Sequence, residues 1–454
     1  MSEHDEDVRL EDASLVSTGG LSPQDWSVLA REVMDRLGRE RGWRGVELYL
    51  LSYDNLSLDY DVASKTFSSS SGGALTVSAR VWLGEAVGTA IDCVHDRATL
   101  EQVLLSAEEK ARTGSTGGFP TTPSPGTPLP TDAWRGATDF SRAHRCAERM
   151  VKDVLPPGVV VQALVVKQEC TGALSVRSDG FEAFRRTHQE VAFLRCETSR
   201  GAVVDAVPLS WEASKGKGDL EPIRARLADA VAALEGPAKQ ADRALPLVLR
   251  PLVAAPLVAG LAWLLRGDIA TATPALVRAV GRKLFPSILT VEDDPLDPRG
   301  LQRRQLDDEG RPTRVLRLVD EGRLVGFLHS EETAARLGVE PGGRGLRDLV
   351  HPATPTALNF CVLPRQDTLP ADYTELVARV ENFSTMPTPG IVSLIAGGWE
   401  VRDGRRVHRV EPLELELPVL ETFRSLRGVG SDLAFFPSAE GCGTPTLVLP
   451  PPGG

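Results

Sequence analysis

Cysteine is sparse in this sequence, positive charge is outnumbered, and no apolar run is long enough to cross a bilayer. The six Cys among 454 residues include no CxxC pair, so a disulfide framework is not indicated. With 51 Lys+Arg against 62 Asp+Glu, the net charge is −11 and the pI is near 5.3. That balance, without a basic tail, argues against phosphate-backbone binding and so against nucleic acid as a partner. A spanning helix needs about 20 nearly unbroken apolar residues. The most apolar stretch, 244–265, contains Arg250, Pro246, Pro251 and Pro256. The acidic, polar start is the opposite of a secretory leader. A soluble, cytoplasmic protein without membrane contact is expected.

What is present fits a globular chain. Apolar residues make up 42% and charged residues 25%, close to folded averages, and the length suits two or three domains. Ser22-Pro23-Gln24-Asp25 offers an N-cap, a proline at the first helical position and a first-turn acid. Trp26, Leu29, Val33 and Leu37 then recur at helical spacing, with Gly38 as the expected stop. Residues 46–51 are an apolar run of strand length. Segments around 56–62 and 75–83 alternate with period two, which predicts half-buried strands. Asp96 is placed to cap a second helix carrying Leu100, Val103, Leu104, Ala107 and Ala111. Residues 113–130, rich in Gly, Pro, Ser and Thr, predict an exposed loop. A third helix is expected over 138–155, stopped by Pro156-Pro157-Gly158. Strands follow at 159–168, 173–177 and 191–196, with a tight turn at Asp179-Gly180. A last helix, capped by Asp219, ends at Gly236-Pro237. The expected division is an α+β domain over 1–236 and a strand-rich domain over 237–454.

Residues able to do chemistry are present but not arranged for it. The seven histidines (His4, His95, His144, His188, His329, His351 and His408) include no i, i+4 helical pair. Cys93 and His95 lie two apart, as do His144 and Cys146, and on a helix such side chains diverge. A buried Cys beside an exposed His is the stronger reading of each pair. Glu292, Asp293, Asp294, Asp297, Asp307, Asp308 and Glu309 form an acidic cluster. Pro295 and Pro298 stand where a calcium loop needs alternating ligands, and Asp-Pro and Glu-Gly are ordinary turn formers. Neither a Gly-x-Ser-x-Gly elbow nor a Gly-x-Gly-x-x-Gly after a strand occurs. Lys215-Gly216-Lys217-Gly218 lacks the rest of a P-loop.

The second half carries an ordered series of motifs. An apolar stretch after Pro251 ends at Arg266-Gly267-Asp268. Asp293-Asp294-Pro295, Asp307-Asp308-Glu309-Gly310-Arg311-Pro312-Thr313 and Gly322-Arg323-Leu324-Val325-Gly326 follow, and Gly441-Cys442-Gly443-Thr444-Pro445 closes the chain. In order and spacing this resembles the C-terminal domain of the TldD/TldE family, also called PmbA or modulator of DNA gyrase proteins. Residues 46–49 and the strand with Arg80 are similar to its N-terminal domain. The resemblance implies an α+β fold of two domains: an N-terminal α/β sandwich-like domain and a mostly antiparallel C-terminal one around an apolar helix.

It also implies chemistry. TldD-type members hydrolyse peptides with a metal held by His-Glu-x-x-x-His on a helix plus a distant Cys, an arrangement that leaves one coordination position open. The corresponding stretch here, from Pro251 to Arg266, has no His, Glu or Asp. Cys442 compares with the third ligand, but without helix partners it is expected as a small buried residue. The chain therefore resembles the TldE side of the family, the subunit type that lacks the motif and pairs with a TldD subunit. No catalytic, metal or cofactor-binding residue is assigned to this chain, and zinc is expected in a TldD-like partner. A homodimer, and a scaffold or peptide-binding protein that kept the fold, stay open. A self-sufficient hydrolase has no residue constellation behind it. Residues 245–265 and Phe435-Phe436 are candidates for interface surface, with the core as their stronger destination.

Overall fold

The computed structural model describes residues 21–454 apart from 62–63, 115, 121–127, 132–133, 135–137, 155–159, 199–200, 209–220, 389, 438–439 and 453–454. The Pro156-Pro157-Gly158 stop, the Asp219 cap, His4 and the Lys215-Gly216-Lys217-Gly218 segment lie outside the described residues.

Ser22 caps α1 (Pro23–Arg41): its hydroxyl accepts the Asp25 amide at 3.1 Å while the Asp25 carboxylate accepts the Ser22 amide at 3.1 Å. This reciprocal box satisfies donors that a helix start leaves unpaired. The helix does not stop at Gly38. It ends where Gly42 takes φ +68°, because a left-handed residue, not merely a glycine, closes a helix. Asp96 caps α2 (Arg97–Ala111), accepting the Thr99 amide at 2.9 Å. The third helix, α3 (Phe140–Arg149), continues as a π-turn over Met150–Val154, and α4 is Glu221–Leu234.

Between these helices run long antiparallel strands. The two predicted segments at 46–51 and 56–62 are one strand, β1 (Gly45–Asp61), paired along its length with β2 (Thr66–Leu83). Beyond β2 lies β3 (Ala86–Cys93), which its weak alternation had not announced. On the other side of β1 come β4 (Val160–Arg177), β5 (Glu182–Thr198) and β6 (Gly201–Pro208). Even-numbered residues of β1 face the helices: Val46, Leu48 and Leu50 share a core with α1 and α2, and Leu56 and Leu58 share one with α3 and α4. Strand alternation therefore turns Glu47 and Tyr49 to the opposite face. That face meets the second half of the chain.

One sheet joins the two halves. Strand β15 (Tyr373–Thr388) pairs with β6 through Val380 and Val203, and also with β8 (Leu247–Leu249) and β16 (Ile391–Arg402). With β7 (Ala238–Lys239), β17 (Arg405–Pro418), β18 (Gly428–Val429) and β21 (Leu447–Leu449), the described residues form a thirteen-stranded, mostly antiparallel sheet. A second sheet of six strands runs β11 (Arg323–Leu324), β10 (Leu316–Asp320), β9 (Val291–Asp293), β14 (Phe360–Val362), β20 (Cys442–Thr444), β19 (Ala434–Phe436). A small hairpin pairs β12 (Gly345–Leu346) with β13 (Thr354–Pro355).

Helix α5 (Pro251–Leu264) lies between the two large sheets, contacting β15, β16, β14 and β20. Its sequence is apolar on every side, as a helix enclosed all round requires, and Val253, Leu257 and Leu261 are wholly buried in the largest core. Phe436 is buried against Leu252 and Ala255. The apolar stretch considered as interface surface is thus largely the interior of this chain. The architecture is the mixed, mostly antiparallel α+β fold expected from the sequence.

Candidate functional site

The cross-strand register puts one carboxylate between two guanidiniums. Glu47 on β1 stands directly opposite Arg80 on β2 and Arg177 on β4. From the second half, Arg347 reaches the same carboxylate, with Nη1 2.9 Å from Glu47 Oε2; Arg80 Nη1 lies 3.2 Å from that oxygen. Burial alone would push the Glu47 carboxyl up, but Arg347, then Arg80 and Arg177, outweigh it and hold it below its ordinary value. Arg347 also lies with Cζ 4.8 Å from the centre of the Tyr49 ring, a cation–π distance.

The turn at Asp307–Gly310 forms the facing wall. Asp308 accepts the Arg347 amide at 2.9 Å and is bonded by Arg185 and Arg304, whose charges overcome its burial and hold its carboxyl low. Asp307 accepts three backbone amides, from Glu309 at 3.0 Å, Arg311 at 2.8 Å and Gly345 at 3.0 Å. Even so, burial pushes its carboxyl up to about 6. Glu309 accepts the Glu331 amide, at the start of α6 (Glu331–Leu337), at 2.8 Å. Burial, then the Asp307 charge, pushes its carboxyl up to about 9, so it is protonated at neutral pH. Gly310 is required here on two counts: its φ is +77°, and a Cβ would sit 2.4 Å from the Phe181 ring. Between the walls lies a cleft of about 730 Å³, with Phe119 and Phe181 in its lining. The acidic cluster of the sequence is thereby divided. Asp307 shapes a turn, Asp308 holds arginines, and Asp293 lies elsewhere with Arg344.

Helix α5 packs beside strand β20. Cys442, on β20, is 1% exposed and belongs to the same apolar core as Val253 and Leu257. Burial pushes its thiol well above the ordinary value, so at neutral pH it is a protonated, apolar neighbour of the helix.

Residues 242–450 match the PmbA/TldA metallopeptidase C-terminal domain. The second half of the chain thus carries a domain of the PmbA/TldD family. A metalloprotease of Synechocystis sp. is 27% identical over 247 residues, 50% of this chain and 52% of that protein. A metalloprotease of Methanothermobacter thermautotrophicus is 28% identical over 163 residues, 34% and 35% of the two chains. The aligned region is thus about half, or less, of these curated relatives. Two crystal structures share the fold over nearly the whole chain. A Thermotoga maritima protein described as a modulator of a DNA gyrase superposes with a TM-score of 0.75 at 18% identity, covering 94% of this chain and 99% of that one. TldE of Thermococcus kodakarensis gives 0.74 at 18%, covering 92% and 98%.

The donor set around α5 does not fit zinc. The helix presents only apolar side chains and glycine, and Cys442 is protonated among them. Among the described residues no three His, Cys, Asp or Glu side chains converge as a metal site, where zinc needs three or four.

The other sequence candidates are dispersed. Cys93 is exposed at the end of β3, not buried, because β3 is an edge strand. Cys146 is buried under α3 with its thiol raised to about 11 by burial, while His144 packs beside Phe67 and Phe140. His329 is buried and 3.2 Å from the Thr333 hydroxyl. His351 pairs with Asp348 and His408 with Glu400. One pairing escaped sequence reading altogether: Cys170 Sγ and His188 Nδ1 are 3.0 Å apart, opposite one another on β4 and β5. No spacing rule links positions across a hairpin whose register is unknown.

Proposed function

We propose that this protein is the non-catalytic, TldE-like subunit of a TldD/TldE-type zinc metallopeptidase acting on peptides. The observation that carries the reading is α5: at the place where the family's peptidases present their ligands, this chain has a wholly apolar helix sealed into its core. Peptide hydrolysis would then belong to a partner bearing His-Glu-x-x-x-His, and this chain would contribute surface to the shared substrate chamber. Such an interface would bury about 1,200–2,000 Å² or more.

The test is co-expression with a His-Glu-x-x-x-His relative from the same genome, followed by size exclusion and a peptidase assay. Co-elution with activity above that of the relative alone supports the subunit reading. Separate elution with unchanged activity replaces it with a scaffold or peptide-binding role, in which the chain acts alone.

A further inference from the structure

In the cleft between the sheet and the 307–347 segment, largely buried guanidiniums outnumber the buried carboxylates they touch. Arg80 and Arg347 share the single carboxylate of Glu47, and Arg185 and Arg304 share that of Asp308. Arg347 is the clearest case. Its side chain is 3% exposed and its Nη1 is engaged by Glu47. Its Nε and Nη2 are buried with no hydrogen-bond partner among the described residues. These two N–H groups form one edge of the guanidinium. Arg177, on the same face, uses that edge to grip both oxygens of Asp179, at 3.2 and 3.0 Å. A buried donor pair left unmade is costly, and a two-oxygen anion satisfies both at once.

We propose that this cleft binds the carboxylate group of a small ligand, held by Arg347 with Arg80 beside it. The chemistry favours a single negative charge. Glu47 and Asp308, whose carboxyls are held low, line the cleft together with Glu331, Glu332 and Glu340, so a dianionic phosphate meets repulsion that a carboxylate meets less. Glu309, neutral at pH 7, adds an O–H donor instead of a further negative charge. The volume of about 730 Å³ falls in the range of small-ligand sites. Phe119 and Phe181 offer an apolar wall to whatever adjoins the carboxylate. The ligand can be the free C-terminus of a short peptide or a small organic acid. The proposal does not rest on pairing with a peptidase.

The experiment is calorimetric titration of the full chain with four probes: the tripeptide Ala-Ala-Phe as its free acid, the same peptide as its C-terminal amide, sodium acetate, and inorganic phosphate. The acid is expected to bind, with the amide weaker by about tenfold or more. Acetate binding as tightly as the tripeptide supports the site with a small acid as its source; a tighter tripeptide supports a peptide terminus. Arg347→Gln should lower affinity by about tenfold or more. Because Arg347 is buried, Arg80→Gln is the companion variant, less buried than Arg347, and a loss of several-fold is expected there at a temperature below the variant's own melting transition. The proposal is overturned if acid and amide bind alike, if neither tripeptide acid nor acetate binds below about 10 mM, if phosphate binds more tightly than both, or if neither variant weakens binding.

Discussion

Arg344 and Asp293, 51 positions apart, form an ion pair in which both side chains are wholly buried. Nothing in the pair is left unmade. Arg344 Nη1 donates to the Gly342 and Gly343 carbonyls at 2.8 and 3.0 Å, and Nη2 to the Asp293 and Arg314 carbonyls at 2.8 and 2.7 Å. Asp293 accepts the Leu358 and Asn359 amides at 3.1 and 2.6 Å. The pair thereby ties β9, the loop before β12 and, through the Asp293 carboxylate, the entry to β14 into a single unit, which carries Arg347 to the cleft.

Removing one partner should therefore be severe. Arg344→Met strands a buried carboxylate and should cost about 3–5 kcal/mol, read as a lower urea midpoint. The double variant with Asp293→Asn should recover part of that loss, since no buried charge remains unpaired. A single variant with an unchanged midpoint would contradict the role given to the pair.

Glu309 predicts a pH-dependent stability. Its carboxyl is raised from 4.5 to about 9, by burial and by the facing charges of Asp307, Glu331 and Glu47. The stability tied to the protonated group is full below the ordinary value and is lost as pH rises through the raised one. Asp307, raised to about 6, adds a loss in the same direction over a lower range. Glu309→Gln, which has no proton to lose, should match the parent near pH 4.5 and exceed it by roughly 1–3 kcal/mol by pH 9. Thermal melts across that range would show the two curves diverging; parallel curves would refute it.

Two glycines should respond to alanine in opposite ways. At Gly88 a Cβ would lie 2.1 Å from the Ala111 amide and 2.2 Å from the Ala107 carbonyl, both in the backbone of α2 at its C-terminal end. Gly88→Ala must push that helix off β3 and should cost about 1–3 kcal/mol or more. Gly38 lies within α1 with nothing within 4 Å of a Cβ. Gly38→Ala should therefore stabilise by about 0.5–1 kcal/mol. Melting temperatures of the two variants, measured side by side, decide it.

The zinc expectation can be read without any partner. Elemental analysis of the purified chain should find no stoichiometric zinc, and a chelator should leave its melting temperature unchanged, because α5 supplies no ligand and Cys442 stays protonated. About one tightly held zinc per chain would overturn the non-catalytic reading.

Local chemistry was legible in the sequence wherever a feature and its cause lie within a few residues. Ser22, Pro23 and Asp25 announced the start of α1, and period two announced the strands. The ligand-free stretch from Pro251 could be read residue by residue. Continuous strands were not legible. The sequence read β1 as two segments because Ser52 and Asp54 interrupt its apolar pattern, yet both are buried, and Asp54 is bonded by the Thr138 amide and hydroxyl at 3.2 Å. The predicted strands 159–168 and 173–177 are likewise one strand, β4, in which Gln168 is held by the Asp139 amide at 2.7 Å and by Glu190 at 2.8 Å.

The sequence alone determined most of the element types and the absence of paired ligands on the apolar helix, since these depend on neighbours along the chain. Only the tertiary structure decided that Arg347 meets Glu47, that Cys170 meets His188, and that Glu309 is desolvated. Those depend on strand register and on how the second half docks against one face of the sheet. A buried charge or donor takes its properties from what surrounds it in space, and no spacing in the sequence encodes that.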